Sequence, residues 1–206
     1  MKLLELFKGT GSVSKVAKKL NYEIVSLDFD PIYTPDIETD ILDWNYKKFY
    51  KDTKFVPDFI WASPPCNTFS ILAYPLKERN TKTGEPYSDR AKEGNKILYR
   101  TLKIIDFFKK INPNLKFVIE NPRGMMRLDD KMKKLILNFT HYCLYGDKRI
   151  KPTDFFSNMD LKLKNPKEEK CKGKTVEVVK VPLNERYKIP SKLILQIFNI
   201  FEKEYK

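Results

Sequence analysis

The spacing of apolar positions changes period several times along the chain. Residues 3–7 (Leu-Leu-Glu-Leu-Phe) read as a short buried strand. Gly9 and Gly11 then predict a turn, and Val13, Val16, Ala17 and Leu20 recur at helical spacing over 12–20. A second strand is expected at 23–29 and a short third one at 39–42. A fourth at 57–62 ends at Ser63-Pro64-Pro65-Cys66. The polar stretch from 67 to about 93 carries Pro75, Gly84 and Pro86 and reads as a long loop, a kind that is usually functional or mobile. Over 94–110, Ile97, Leu98, Leu102, Ile105 and Phe108 share one helical face. A strand at 116–120 leads into Asn121-Pro122, residues 129–138 look helical, and 139–158 should hold one or two strands. The Lys-rich stretch 159–188 has little apolar periodicity before 175–181, and a final amphipathic helix covers 191–204. With no internal repeat and no linker, the alternation predicts one domain over 1–206. It is α/β, Rossmann-like and doubly wound around a mainly parallel sheet.

Composition narrows this picture. At 206 residues the chain can bury roughly 70% of the surface its unfolded form exposes. Hydrophobic residues at 41% and aromatics at 13% exclude a disordered chain. No run is long enough to span a bilayer, and the N-terminus does not resemble a signal peptide. Cys66, Cys143 and Cys171 are far apart, with no CxxC, which argues against a metal site and a disulfide scaffold. An odd count fits a reducing, intracellular (cytoplasmic) setting, with Cys143 and Cys171 as small hydrophobes. Forty Lys+Arg against 27 Asp+Glu give a formal charge of +13. That suits a polyanionic partner, or equally the Lys-rich surface of a compositionally biased genome.

In such a sheet, ligands bind beyond the carboxyl ends of the strands. Gly9-Thr10-Gly11, Asp28-Phe29-Asp30, Pro65-Cys66 and Glu120-Asn121-Pro122 all fall there. A glycine turn before a helix lets a ligand approach the backbone. Asp28 could accept from ribose hydroxyls, Phe29 could pack on an adenine face, and Asp40 could accept from its amino group. Position 14 is Ser14, and no Walker pattern occurs. The pocket therefore suits a nucleoside without pyrophosphate, such as S-adenosylmethionine. Two prolines stiffen the approach to Cys66, a candidate nucleophile. Glu120 ends an apolar strand, where a carboxyl group can share or donate a proton. His141 is the only histidine and has no sequence context for a catalytic pair.

These residues resemble the C5-cytosine DNA methyltransferases, especially the short phage and viral forms. Leu6 to Gly11, Ser26 to Pro31 and residues 39–42 are similar to the three cofactor motifs. Ser63 to Ser70 looks like the Pro-Cys motif, and Glu120-Asn121-Pro122 stands where the family more often has Glu-Asn-Val. Tyr145-Gly146 through Lys151 resembles the basic base-holding motif, and the last helix, after Ile189-Pro190, the C-terminal motif that completes the cofactor pocket. The resemblance implies catalytic roles for Cys66, Glu120, Arg149 and Lys151. It implies S-adenosylmethionine contacts from Phe7, Gly9, Thr10, Gly11, Asp28, Phe29, Asp40, Ile41 and Pro65, and no metal. Cys66 would attack C6 of a flipped cytosine in double-stranded DNA, Glu120 would bond N3 and the amine, and Arg149 and Lys151 would contact the base. Residues 67–93 would form a mobile loop, with Arg79, Lys82 and Arg90 near phosphates. A monomer is expected.

The sequence departs from the family in two places. The basic motif reads Asp147-Lys148-Arg149-Ile150-Lys151, poorer in arginine and glutamine than usual. The basic insert 159–188 is much shorter than the usual target-recognition domain, which implies short or relaxed specificity or help from a partner. Lys162, Lys164, Lys167, Lys170, Lys172 and Lys174 would add salt-sensitive phosphate contacts without base readout. The alternatives are methylation of RNA cytosine, of a free nucleotide or of an amino group, and a catalytically silent nucleic-acid-binding module.

Overall fold

The computed structural model describes residues 1–205. In chain order the elements are β1 (Lys2–Leu6), α1 (Ser12–Lys19), β2 (Glu23–Asp28), β3 (Ile37–Glu38), α2 (Tyr46–Thr53), β4 (Phe59–Ala62), α3 (Asp89–Ile111) and β5 (Lys116–Pro122). They continue with β6 (Ile136–His141), β7 (Arg149–Ile150), β8 (Pro152–Ser157), β9 (Val176–Glu177), α4 (Leu183–Arg186) and α5 (Ser191–Tyr205). Seven strands form one sheet in the order β3-β2-β1-β4-β5-β8-β6. The first five are parallel, and β8 runs antiparallel to both β5 and β6. The mainly parallel α/β expectation therefore holds.

Period-two alternation along the strands sends neighbouring residues into two separate cores. Leu3, Phe59, Trp61, Val118 and Phe155 face α1 and α5, meeting Val13, Val16, Ile197, Phe198 and Phe201. Leu4, Leu6, Ile60, Phe117, Ile119 and Phe156 face the other way, onto Leu98, Ile104, Ile105 and Phe108 of α3. Each such fully buried large side chain contributes about 1.5–3 kcal/mol. Helices on both faces leave the carboxyl edge of the parallel strands open for a ligand.

Several expectations are corrected. The third strand is 37–38 rather than 39–42; the Asp40 carbonyl accepts from the amides of Asp43 and Trp44, turning the chain and burying Ile41. Helix α2 was not foreseen, because its buried aromatic contacts are interrupted by lysines. Helix α3 begins at Asp89, where the Ser88 hydroxyl caps the Ala91 amide. No α-helix forms over 129–138: two 3-10 turns precede β6, whose residues 136–141 pair along the full length of β8. Cys143 and Cys171 are joined as a disulfide with Cα atoms 5.2 Å apart, not held as two separate hydrophobes. The excursion between them folds back on itself, a proximity that sequence distance hides. No described helix is long and apolar enough to cross a membrane.

The segment after Cys66 is pinned. The amides of Phe69 and Ser70 both donate to the Cys66 carbonyl at 3.0 Å, and a 3-10 helix follows at Ile71–Leu76. The Met125 amide donates to Phe69 O at 2.6 Å and the Ile71 amide to Arg123 O at 3.1 Å. Arg79 is buried, not extended towards solvent phosphates. Its guanidinium lies 3.8 Å from the Phe69 ring centroid and donates to Thr68 Oγ1, Asn95 Oδ1, Gly84 O and Ala91 O. Arg90 is paired with Glu78, and Lys82 is exposed.

Candidate active site

A cleft of about 360 Å³ opens at the carboxyl ends of β1, β2, β4 and β5. Its walls bring together Phe7, Gly9, Thr10, Asp28, Phe29, Pro65, Cys66, Glu120 and Lys151, all singled out in the sequence. The parallel strands end together because Leu3 pairs with Phe59 and Ile60 with Phe117, so the loops that follow them converge. The sulfur and the carboxyl group thus face one cavity.

The glycine turn is built to a tight specification. Phe7 leaves β1 at φ 63°, a left-handed conformation that is costly for a side chain and recurs at functional sites. Gly9 and Gly11 follow at φ 48° and 66°, and Gly11 starts α1. The Gly9 amide donates to Asp28 Oδ2 at 2.8 Å and the Asp30 amide to Asp28 Oδ1 at 3.1 Å. Asp28 therefore ties the two loops together. A carboxylate has about four acceptor sites, so it retains capacity for a ligand hydroxyl in the cleft. Gly11 shapes the turn without lining the cleft. Asp40 and Ile41 are not brought to its wall: Asp40 caps the Leu42 amide at 2.8 Å and Ile41 is buried in the core.

Cys66 sits where the two prolines deliver it, with its thiol partly covered. Burial pushes the thiol above its ordinary value; the Lys151 ammonium lowers it and the Glu120 carboxyl raises it again. The thiol is therefore protonated at neutral pH in the resting cleft. Glu120 is buried at the end of β5, its Oε1 accepting from the Tyr142 hydroxyl at 3.0 Å and lying 3.8 Å from Lys151 Nζ. Next to it, Asn121 Nδ2 donates to Pro64 O at 2.9 Å, clamping the Glu-Asn-Pro turn to the Pro-Cys turn.

Arg149 is not at the cleft. It is buried, paired with Asp147, and donates to the carbonyls of Glu185 and Lys188. The two carbonyl contacts anchor the strap that enters α5, which corrects its expected position against a base. That strap supplies Tyr187 and Ile189 to the cleft, and the Ile189 amide donates to Ser12 Oγ at 3.2 Å. Tyr187 was missed because no apolar period marks it. Glu5 was missed too, although a charge inside Leu-Leu-Glu-Leu-Phe was a visible signal. It lines the floor of the cleft, accepts from the Ser14 hydroxyl, and burial raises its pKa to about 7. Lys162, Lys164, Lys167, Lys170, Lys172 and Lys174 of the 159–188 insert are exposed, with Lys162 paired to Asp160 and Lys164 to Glu169.

The seven-stranded order with its antiparallel β8, and a nucleoside-sized cleft at the strand ends, define the fold of the S-adenosylmethionine-dependent methyltransferases. Two solved structures share it. One is an Escherichia coli prophage-encoded protein described as a DNA modification methyltransferase (TM-score 0.52, 17% identity, 86% of this chain and 53% of that one). The other is Schizosaccharomyces pombe Dnmt2 methyltransferase (TM-score 0.51, 16% identity, 78% and 51%). In sequence, the chain is similar to two curated proteins named as methyltransferases. It is 34% identical over 157 residues to a frog virus 3 protein named "Probable DNA (cytosine-5)-methyltransferase", covering 71% of this chain and 65% of that protein. A Methanocaldococcus jannaschii protein assigned as a type II methyltransferase is 28% identical over 185 residues, covering 80% and 57%. The chain thus spans about three fifths of the length of these curated relatives. No family model matches it.

Proposed function

We propose that the protein methylates C5 of cytosine in double-stranded DNA, with S-adenosylmethionine as methyl donor and the target base flipped into the cleft. The observation that carries this reading is the shared cavity, whose wall joins Cys66, Glu120 and Lys151 with the glycine turn and Asp28.

The residues present fit the cofactor. The volume is within the range of small-molecule sites. Asp28 has acceptor capacity for ribose hydroxyls, Phe29 offers an exposed ring for adenine, and Phe7, Gly9, Thr10 and Pro65 form the surrounding wall. When bound, the cofactor supplies an electrophilic methyl group. Asp40 and Ile41 have no place at this wall, and Arg149 holds the strap that closes it.

The base-side chemistry belongs to the chain. The Cys66 thiol gives its proton to solvent water as its sulfur bonds C6 of cytosine; the C5–C6 pair shifts to C4–C5 and the C4–N3 pair to N3. Glu120 meets N3 and the exocyclic amine and stabilises the charge the addition creates. Lys151, 3.8 Å from Glu120, supplies positive charge in a desolvated place. This interaction must be stronger in the adduct than with cytosine itself to accelerate the reaction. After C5 is substituted, water takes the C5 proton, its bonding pair rebuilds the C5–C6 double bond and expels the Cys66 sulfur as thiolate, and Glu120 takes back the N3 proton, restoring the ring. The lysines of the 159–188 insert serve as phosphate contacts, and residues 67–88, ahead of α3, as the segment that covers the flipped base.

Labelled S-adenosylmethionine with mixed DNA and RNA, followed by nucleoside identification, tests the reading. The expected product is 5-methylcytosine in DNA. The protein should also form a covalent adduct on 5-fluorocytosine DNA, and Cys66→Ser should abolish both. Turnover that survives Cys66→Ser would point to an amino methyltransferase. Product in RNA alone would reassign the substrate, and binding with no product would leave a silent module.

A further inference from the structure

We propose that Tyr142 is a positioning residue for Glu120: its hydroxyl holds one carboxylate oxygen, so that the other is the oxygen that meets the pyrimidine. The inference rests on the cytosine reading above.

Tyr142 is fully buried on the 3-10 turn that follows β6. Its hydroxyl donates to Glu120 Oε1 at 3.0 Å. Glu120 Oε2 makes no hydrogen bond among the described residues, and Glu120 is part of the cleft wall. Two cations lie over the Tyr142 ring, Lys151 Nζ at 4.9 Å and the Arg149 guanidinium at 5.5 Å from its centroid. Both favour a fixed ring, and cation–π contact strengthens in a desolvated site. The charged and titratable groups around the pair are Lys151, Arg149 with its partner Asp147, and the Cys66 thiol.

The geometry fixes where a proton can be. Burial, followed by the neighbouring Glu120 carboxyl, holds the phenol well above its ordinary value, so Tyr142 stays a donor over the working pH range. Because Oε1 already accepts that hydrogen, any proton on the carboxyl group sits on Oε2. When the Cys66 sulfur bonds C6, the displaced electron pair reaches N3. The Oε2 proton passes to N3, and the negative charge remains on the carboxylate. The Tyr142 hydrogen bond and Lys151 then stabilise that charge. Without the phenol the carboxyl group can rotate, and either oxygen can carry the proton.

The test compares wild type with Tyr142→Phe, which keeps the ring and removes the hydroxyl. Cofactor and DNA affinities should be unchanged, while kcat and the rate of trapping on 5-fluorocytosine DNA fall roughly 10- to 100-fold. The basic limb of the kcat profile, where Glu120 loses the proton it gives to N3, should move up in pH. Carbon-13 NMR of the Glu120 carboxyl, assigned with Glu120→Gln, should show its titration midpoint rising in Tyr142→Phe, because a donor to the carboxylate has gone. If Tyr142→Phe does not fold, 3-fluorotyrosine at position 142 replaces it; this more acidic donor should move the midpoint and the basic limb down. Unchanged kcat and pH profile in a variant of a wild type that does trap DNA would overturn the role of Tyr142 and leave the cytosine reading intact. An unmoved Glu120 titration would overturn it as well. A wild type that neither traps nor methylates cytosine would remove the cytosine reading itself, and this role with it.

Discussion

Gly124→Ala should damage both the fold and the nucleophile, although Gly124 is not at the cleft. Gly124 forms an isolated bridge with Ser70, beside the chain that leaves Cys66. A Cβ added there would lie 2.0 Å from Phe69 O, 2.7 Å from Ser70 Cα and 2.8 Å from Phe69 C. All three are backbone atoms, so no rotamer change relieves the overlap. The two segments must part by about 1 Å or more, which is the overpacking regime of about 1–3 kcal/mol. The Met125 amide bond to Phe69 O and the Ile71 amide bond to Arg123 O then weaken or break, at about 1 kcal/mol each. Together these give a loss of about 3–5 kcal/mol, and at about 2–4 °C per kcal/mol for a chain of this size Tm should fall by roughly 10 °C. The shift also reaches Cys66, whose carbonyl holds the amides of Phe69 and Ser70. A displacement near 1 Å in a reacting group costs up to about 10²-fold in rate. Thermal and urea unfolding measure the first effect, and trapping on 5-fluorocytosine DNA below Tm measures the second. A loss under about 0.5 kcal/mol, the range of an ordinary surface substitution, would refute the packing argument.

Two further outcomes follow from the site. Glu5 has a folded pKa of about 7 against an ordinary 4.5, so the folded state holds its proton more tightly than the unfolded chain does. Its stabilising contribution is full below about pH 4.5 and is lost as pH rises through 7, a change of about 3 kcal/mol. Urea midpoints at pH 5 and pH 8 should differ accordingly, and Glu5→Gln should flatten the difference; an unchanged slope would show that Glu5 is not the group responsible. Arg149→Met should leave Asp147 and the carbonyls of Glu185 and Lys188 without their buried partner, costing about 3–5 kcal/mol and weakening cofactor binding through the loosened Ile189 strap. Urea unfolding and calorimetric titration with S-adenosylmethionine check this. Lost DNA trapping with stability and cofactor affinity intact would instead return Arg149 to the base.

The sequence by itself determined the parallel α/β core and most of the cleft wall. The reason is local: apolar periodicity sets where β1, β2, β4, β5 and α5 run, and in a parallel sheet the residues that end those strands must share an edge. Gly9, Asp28, Cys66 and Glu120 therefore converge wherever the intervening chain goes. Tertiary structure decided what depends on packing between distant segments. Antiparallel pairing with β8 turned 136–138 into strand, against their helical look, and joined them to 139–141. The turn at Asp40 took Asp40 and Ile41 away from the ligand. The charge on Arg149 reads the same whether it meets a base or the carbonyls of Glu185 and Lys188, and only the path of the returning strap settled which. Tyr142 reaches Glu120 across 22 positions, a contact no spacing rule encodes, because it depends on the chain passing through β6 before it turns back towards β5.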